Sequence, residues 1–241
     1  MKTFQKISCL VILLPLTCCS QVDFNKITKE VEKTVNQDKP LTNDEIIRGL
    51  KEALNVGSNN AATLASKVDG YFKNPAIKIP FPPEAKAMES KLRAIGMDKQ
   101  VDDFILTVNR AAEEAAKQAA SVFVSAVTSM TITDGLSILR GTDTAATGYL
   151  RKTTSVILHD KFKPVIRTAT QKVDVTKYWN PLATTYNSIP FVTKVNPDLE
   201  EYISQLALGG LFFLVSQEET KIRKDPAARV TEILRRVFGS K

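Results

Sequence analysis

The chain has 241 residues, 43% of them hydrophobic, which is long enough for one large domain or two small ones with a real core. Its 33 Lys and Arg against 26 Asp and Glu give a formal charge of +7, and its three cysteines, Cys9, Cys18 and Cys19, all fall within the first nineteen residues. A disulfide-built body is thereby excluded, and so is a cage of Cys and His around a metal, because His159 is the sole histidine.

The N-terminus reads as an export signal: a basic start through Lys6, an apolar stretch from Ile7 to Leu16 too short to span a bilayer, then small or polar residues. Two readings of its end stand. Leu16-Thr17-Cys18-Cys19 resembles a bacterial lipobox, which makes residues 1–19 a lipoprotein-type signal and Cys19 the acylated anchor, so that the membrane is a partner through that anchor. Ordinary cleavage after Ser20, with Cys18 and Ser20 at the recognition positions, gives a free periplasmic or secreted protein instead. Either way the body is exported from the cytosol. Removal of residues 1–18 takes away Lys2 and Lys6 and no acid, so the charge falls from +7 to +5. That balance is mildly basic, and without an aromatic-interleaved basic motif nucleic acid is discounted.

Residues 20–40 are polar with a weak apolar spacing and read as a tether or marginal helix, and residues 41–241 as a single helical domain. Thr42 with Glu45 is a capping box that opens a helix through Ile46, Ile47, Leu50 and Leu54 to Gly57. A second helix from Asn60 to Gly70 completes an expected hairpin. Ile77 and Ile79 alternate with Lys78 between prolines, so Ile77 to Ile79 is at most an edge strand or a strap over the bundle. Pro83 suits the first turn of a helix with Met88, Leu92 and Ile95 inward and Gly96 at its end.

Residues 98–129 hold a helical period without Gly or Pro and are rich in alanine, which places one long helix at the centre of the bundle. Thr133 and Asp134 open a short helix that Gly141 stops, and Asp143 or Thr144 opens the next, running toward Lys163. Residues 174–196, with Trp179, Tyr178, Tyr186, Pro181 and Pro190, read as broken helix and loop. Asp198 caps a helix whose residues 206–215 are apolar nearly all round, implying burial, and Asp225-Pro226 restarts the chain as cap and first turn of a last helix. The fold class is therefore all-α: a multi-helix bundle around a long Ala-rich helix, with at most one short extended segment.

Six phrases in order now carry a resemblance: Gly49-Leu50-Lys51-Glu52-Ala53-Leu54, Ile77-Lys78-Ile79-Pro80, Asn109-Arg110-Ala111-Ala112-Glu113, Ile138-Leu139-Arg140-Gly141, Ala145-Ala146-Thr147 and Leu208-Gly209-Gly210-Leu211-Phe212. From Thr42 to Gly239 the chain resembles the bacterial family catalogued as domain of unknown function 4197. The resemblance implies an exported or lipid-anchored, mostly helical protein of Gram-negative envelopes and no established activity, cofactor or catalytic residue.

Candidate sites rest on their own chemistry. Arg110, Glu113 and Glu114 can pair along one face as a solvated strip, in which Glu113 also reaches Lys117; alternatively Asn109, Arg110 and Glu113, which interrupt the alanine-rich helix, hold a buried Arg-Glu pair marking a polar site or clamp. Between Arg140 and Thr147, the backbone N–H groups of a helix start can receive an anion, unless Asp143 occupies them as the cap. His159, near an expected helix end, suits carbonyl capping. Arg229, Arg235 and Arg236 form a basic face that could lie on anionic lipid or face solvent, and Arg223 can pair with Glu219 one turn earlier. The leading expectation is a noncatalytic role in binding a lipid, small ligand or envelope protein. The rival is a hydrolase of an envelope polymer using two of Glu113, Asp134, Asp143, Glu218 and Glu219.

Overall fold

The computed structural model describes residues 41–94, 96–171 and 198–239, together with Trp179, Thr184, Asn187, Ser188, Pro190, Phe191, Lys194 and Val195. The expected signal with Cys19, the expected tether or marginal helix, Ile95 and most of the expected broken helix at 174–196 lie outside the described residues. Eight α-helices and no strand occur among the described residues, so the chain is all-α.

Helix α1, Asn43–Ser66, starts at the expected capping box: the Thr42 hydroxyl accepts from Glu45 N–H at 3.2 Å, and Glu45 Oε2 accepts from Thr42 N–H at 2.9 Å. It does not stop at Gly57, and the expected hairpin is absent. Gly57 is buried, and a Cβ there would lie 3.5 Å from Glu218 and 3.6 Å from Ile222, so helix packing outweighs the roughly 1 kcal/mol helix penalty of glycine. The reversal comes ten residues later. Lys67 leaves the helix in an extended conformation, Asp69 takes a left-handed φ of 69°, and Gly70 is required because any Cβ would sit 2.3 Å from the Leu64 carbonyl oxygen.

The chain then runs as a strap, residues 67–82, across the bundle. Ile77, Ile79 and Phe81 are buried without joining a sheet, so the segment is a strap rather than an edge strand. Pro83–Ala85 form a 3₁₀ turn that leads into α2, Lys86–Ala94, whose Met88 and Leu92 pack on the core. Gly96 follows at φ 84°.

The single long helix expected over 98–129 is two: α3, Asp98–Ala116, and α4, Ala119–Thr128. At the break Lys117 and Gln118 bond back three residues, to Glu114 O at 3.3 Å and Ala115 O at 3.0 Å. This tightened turn re-phases the apolar stripe, so that Ala111, Ala112, Ala115 and Ala116 of α3 and Ala119, Phe123 and Val127 of α4 are all buried. The cap of α5, Ile132–Arg140, is Thr131 rather than Thr133; Asp134 is its capping-box partner.

The longest element is α6, Ala145–Gln171, which passes through Pro164 instead of ending near Lys163. Pro164 removes one N–H, but the carbonyl deprived of it belongs to exposed Asp160, while Phe162 and Ile166 on either side are fully buried. Helix α7, Leu199–Lys224, is capped by Asp198 as expected. Asp225 then caps only a 3₁₀ turn, Pro226–Ala228, and α8, Glu232–Gly239, begins later than the expected restart. Contacts between Thr147 and Glu219, Arg151 and Phe212, and Arg167 and Glu200 show that α6 and α7 run antiparallel. Helix α1 packs on α7, and α3 on α6. Residues 206–215 are mostly buried, except Leu206 and Phe213, which stay 37% and 39% exposed on the outer side of α7.

Candidate functional site

Two buried carboxylates organise the polar residues that interrupt the helices. On α3, Asn109 is fully buried and holds one residue of the strap from both sides: its Oδ1 accepts from Ile79 N–H at 2.8 Å and its Nδ2 donates to Ile79 O at 2.8 Å. One turn on, Glu113 Oε1 accepts from the N–H groups of Tyr71 and Phe72 at 3.1 and 3.2 Å, and its Oε2 accepts from Arg110 Nη1 at 2.6 Å. Arg110 also donates to Asp69 Oδ1 at 2.5 Å, and Lys73 pairs with the same Asp69 at 2.8 Å. The Glu113 side chain is 5% exposed and that of Arg110 37%, so a buried acid meets a half-buried base. Lys117 pairs with exposed Glu114 instead of Glu113.

This cluster is a clasp. It supplies acceptors and donors to strap backbone groups that no sheet satisfies. Tyr71 is buried beneath it and donates its hydroxyl to Ala207 O at 2.6 Å; burial, with the Glu113 charge adding, pushes the phenol well above its usual range. Hydrogen bonds from Lys73, then Arg110, hold Asp69 below the ordinary carboxylate range.

The second clasp is at the start of α6, where the sequence suggested an anion site. The anion is the chain's own Glu219, from α7. Its Oε1 accepts from Ala146 N–H at 3.0 Å, and its Oε2 accepts from Thr147 N–H and hydroxyl, each at 2.8 Å. Arg223 donates to Oε1 through Nε at 3.0 Å and Nη2 at 2.9 Å, and Nη2 reaches Ile138 O at 3.1 Å. Asp143 is not the anion at these groups; it pairs with Lys224 at 2.8 Å. Thus Asn109, Arg110 and Glu113 share one clasp, Thr147 belongs to the other, and Asp143 sits in a surface pair. The Arg223–Glu219 spacing was visible in the sequence, but the approach of α6 to Glu219 is tertiary and left no local signal.

The remaining candidates are also engaged. Arg229 donates to Ile222 O at 3.1 Å and Arg223 O at 2.9 Å at the end of α7, Arg236 pairs with Glu45 at 3.0 Å, and exposed Arg235 donates to Arg229 O at 3.1 Å. Hydrogen bonds from Thr42, first its backbone N–H, and from Arg236 bring Glu45 down to about 2. His159 lies within α6 rather than near its end, because the helix continues past Pro164, and its Nε2 meets Glu201 at 2.9 Å. Asp134 serves its capping box, and Glu218 accepts from Asn60 at 3.0 Å and Lys221 at 2.5 Å. Among the described residues no group of three or more His, Cys, Asp or Glu is placed to hold a metal ion, and no single helix is long and apolar enough to cross a membrane.

The space between α1 and α7 beside Glu219, lined by Leu50, Gly57, Val215 and Phe238, is about 20 Å³, comparable to one water molecule. Larger hollows are open grooves on the surface, of about 530 Å³ beside Arg110 and Val165 and about 450 Å³ beside Ser125 and Ile157. A family model described as protein of unknown function (DUF4197) matches residues 40–239. The chain belongs to the DUF4197 family. The matched span contains the eight helices of the described residues and both clasps of this DUF4197 chain. No curated protein and no solved structure matches it.

Proposed function

We propose that the chain is an exported protein of the Gram-negative cell envelope, acylated at Cys19, held on the periplasmic side of a membrane, and noncatalytic: it acts by binding. The observation that carries the noncatalytic part is the internal commitment of its buried polar groups. Glu113 and Asn109 hold the strap, and Glu219 with Arg223 caps α6. A hydrolase of the carboxylate type needs two acids facing substrate across a cleft. Each of the five acids nominated for that role accepts from, or pairs with, a donor of its own fold. The larger hollows, open and lying on the surface, support recognition there rather than chemistry in an enclosed site.

The anchor is supported by the lipobox-like Leu16-Thr17-Cys18-Cys19. Replacement Cys19→Ser tests it in cells by acyl labelling and membrane fractionation. Loss of label is expected, with release into the soluble fraction on a high-salt wash that also screens any contact of lysines with anionic lipid; label that persists in the variant would refute the anchor.

A further inference from the structure

We propose that the outer face of the strap, residues 67–80, is a docking surface for a bilayer bearing anionic headgroups. The inference deepens the reading of an anchored envelope protein by naming the face that meets lipid.

The strap is basic on the side it turns outward. Lys67, Lys73 and Lys78 are exposed, and Asp69, the one acid of residues 67–80, is turned inward to Arg110 as well as to Lys73. Beside Lys67 and Lys73 the surface carries exposed aliphatic side chains along with Asp69 and Asn74. Val68 is 78% exposed at the left-handed turn made by Asp69, and Leu64, 39% exposed, lies with Pro75 and Leu214 along a groove of about 360 Å³ that Lys67 and Lys73 border. Lysines interleaved with exposed aliphatic side chains are the composition of a surface that lies in the lipid interface: the aliphatic groups enter the acyl boundary and the ammonium groups meet phosphate. An acidic protein would satisfy the lysines but would give Val68 no comparable apolar phase.

The strap is also preorganised. Glu113 fixes Tyr71 and Phe72, Asn109 fixes Ile79, and the Tyr71 hydroxyl is tied to Ala207. Lys78 rests over the Phe72 ring with its Nζ 4.5 Å from the centroid. Docking therefore orders little further backbone, which lowers the entropic cost of binding. The C-terminal face is a poorer match, because Arg229 and Arg236 donate to the chain's own carbonyls and to Glu45.

The test uses the mature chain from Ser20 onward, which carries neither the signal nor an acyl group, and co-sedimentation with vesicles of phosphatidylcholine, alone or with roughly one-third phosphatidylglycerol. Binding only to the anionic vesicles is expected, weakening with salt. Each of Lys67→Gln, Lys73→Gln and Lys78→Gln should lower partitioning about fivefold and the triple variant roughly 100-fold, while Lys161→Gln on α6 leaves it unchanged. Thermal melts confirm that the variants fold, and the single variants carry the test if the triple one does not. No preference for anionic vesicles, or binding indifferent to the lysine variants, or binding lost instead on Arg235→Gln, would overturn the proposal. Its failure is separable from failure of the anchor, since the vesicle assay contains no acyl group and the acyl-labelling experiment does not involve the strap.

Discussion

Replacing Glu219 with alanine should be the most damaging single change at the start of α6. The substitution removes five hydrogen bonds, from Ala146 N–H, Thr147 N–H, the Thr147 hydroxyl and two nitrogens of Arg223. The Arg223 side chain is 9% exposed and that of Glu219 8%, so the guanidinium left behind is a buried charge whose remaining partner is Ile138 O. Breaking a buried pair from one side costs about 3 to 5 kcal/mol, because the surviving charge loses water and partner together. For a domain of roughly 200 residues this lowers the melting temperature by about 6 to 20 °C. Urea titration of the unacylated chain, followed by circular dichroism, should show the midpoint falling with the slope unchanged. The double variant Glu219→Leu with Arg223→Leu should recover only the part of the loss due to the stranded charge, since the Ala146 and Thr147 donors stay without an acceptor. A loss below about 1 kcal/mol for Glu219→Ala would refute the reasoning, because it would mean that solvent replaces the clasp without penalty.

Glu113→Ala should cost about 2 to 4 kcal/mol, because the Tyr71 and Phe72 N–H groups lose their acceptor while Arg110 keeps Asp69, and limited trypsin digestion should cut faster at Lys67, Lys73 and Lys78 as the strap is released. Unchanged cleavage would place the strap's stability elsewhere. Gly210→Ala should destabilise by about 1 to 3 kcal/mol, because the new Cβ would lie 2.8 Å from the Tyr71 ring and 2.9 Å from Ile77. Gly209→Ala, with nothing within 4 Å, should be neutral or stabilise by up to about 1 kcal/mol; thermal melts that rank the two variants the other way would contradict the packing. Stability should also fall in acid. Glu45 titrates at about 2 against an ordinary 4.5, so its contribution is fully present above 4.5 and is lost as pH drops toward 2; Asp69, Asp134 and Glu201 are lowered in the same direction. Urea midpoints that stay level from pH 5 to pH 2 would contradict this sign.

What the sequence could reveal was local. Thr42 with Glu45, and Asp198 ahead of an apolar run, announce helix starts because the cap and its partners lie within four residues. Arg223 with Glu219 was visible for the same reason. What stayed hidden depended on partners far along the chain. Gly57 looked like a stop and is a contact point for α7; the helix expected to run only toward Lys163 continues through Pro164, which faces solvent on a helix whose other side is fully buried. The break at Lys117–Gln118 has neither glycine nor proline to mark it, since it arises from packing two alanine-rich halves at once. The polar phrase Asn109-Arg110-Glu113 was recognisable as unusual, but its purpose depends on the strap, whose backbone groups it satisfies from thirty to about forty residues away.

The most direct test of the proposed function is the intact mass of the mature protein isolated from its own envelope. The account predicts a chain that begins at Cys19 and carries the mass of a diacylated N-terminus. A chain that begins at Gln21 without added lipid would contradict it and leave a free protein with no anchor.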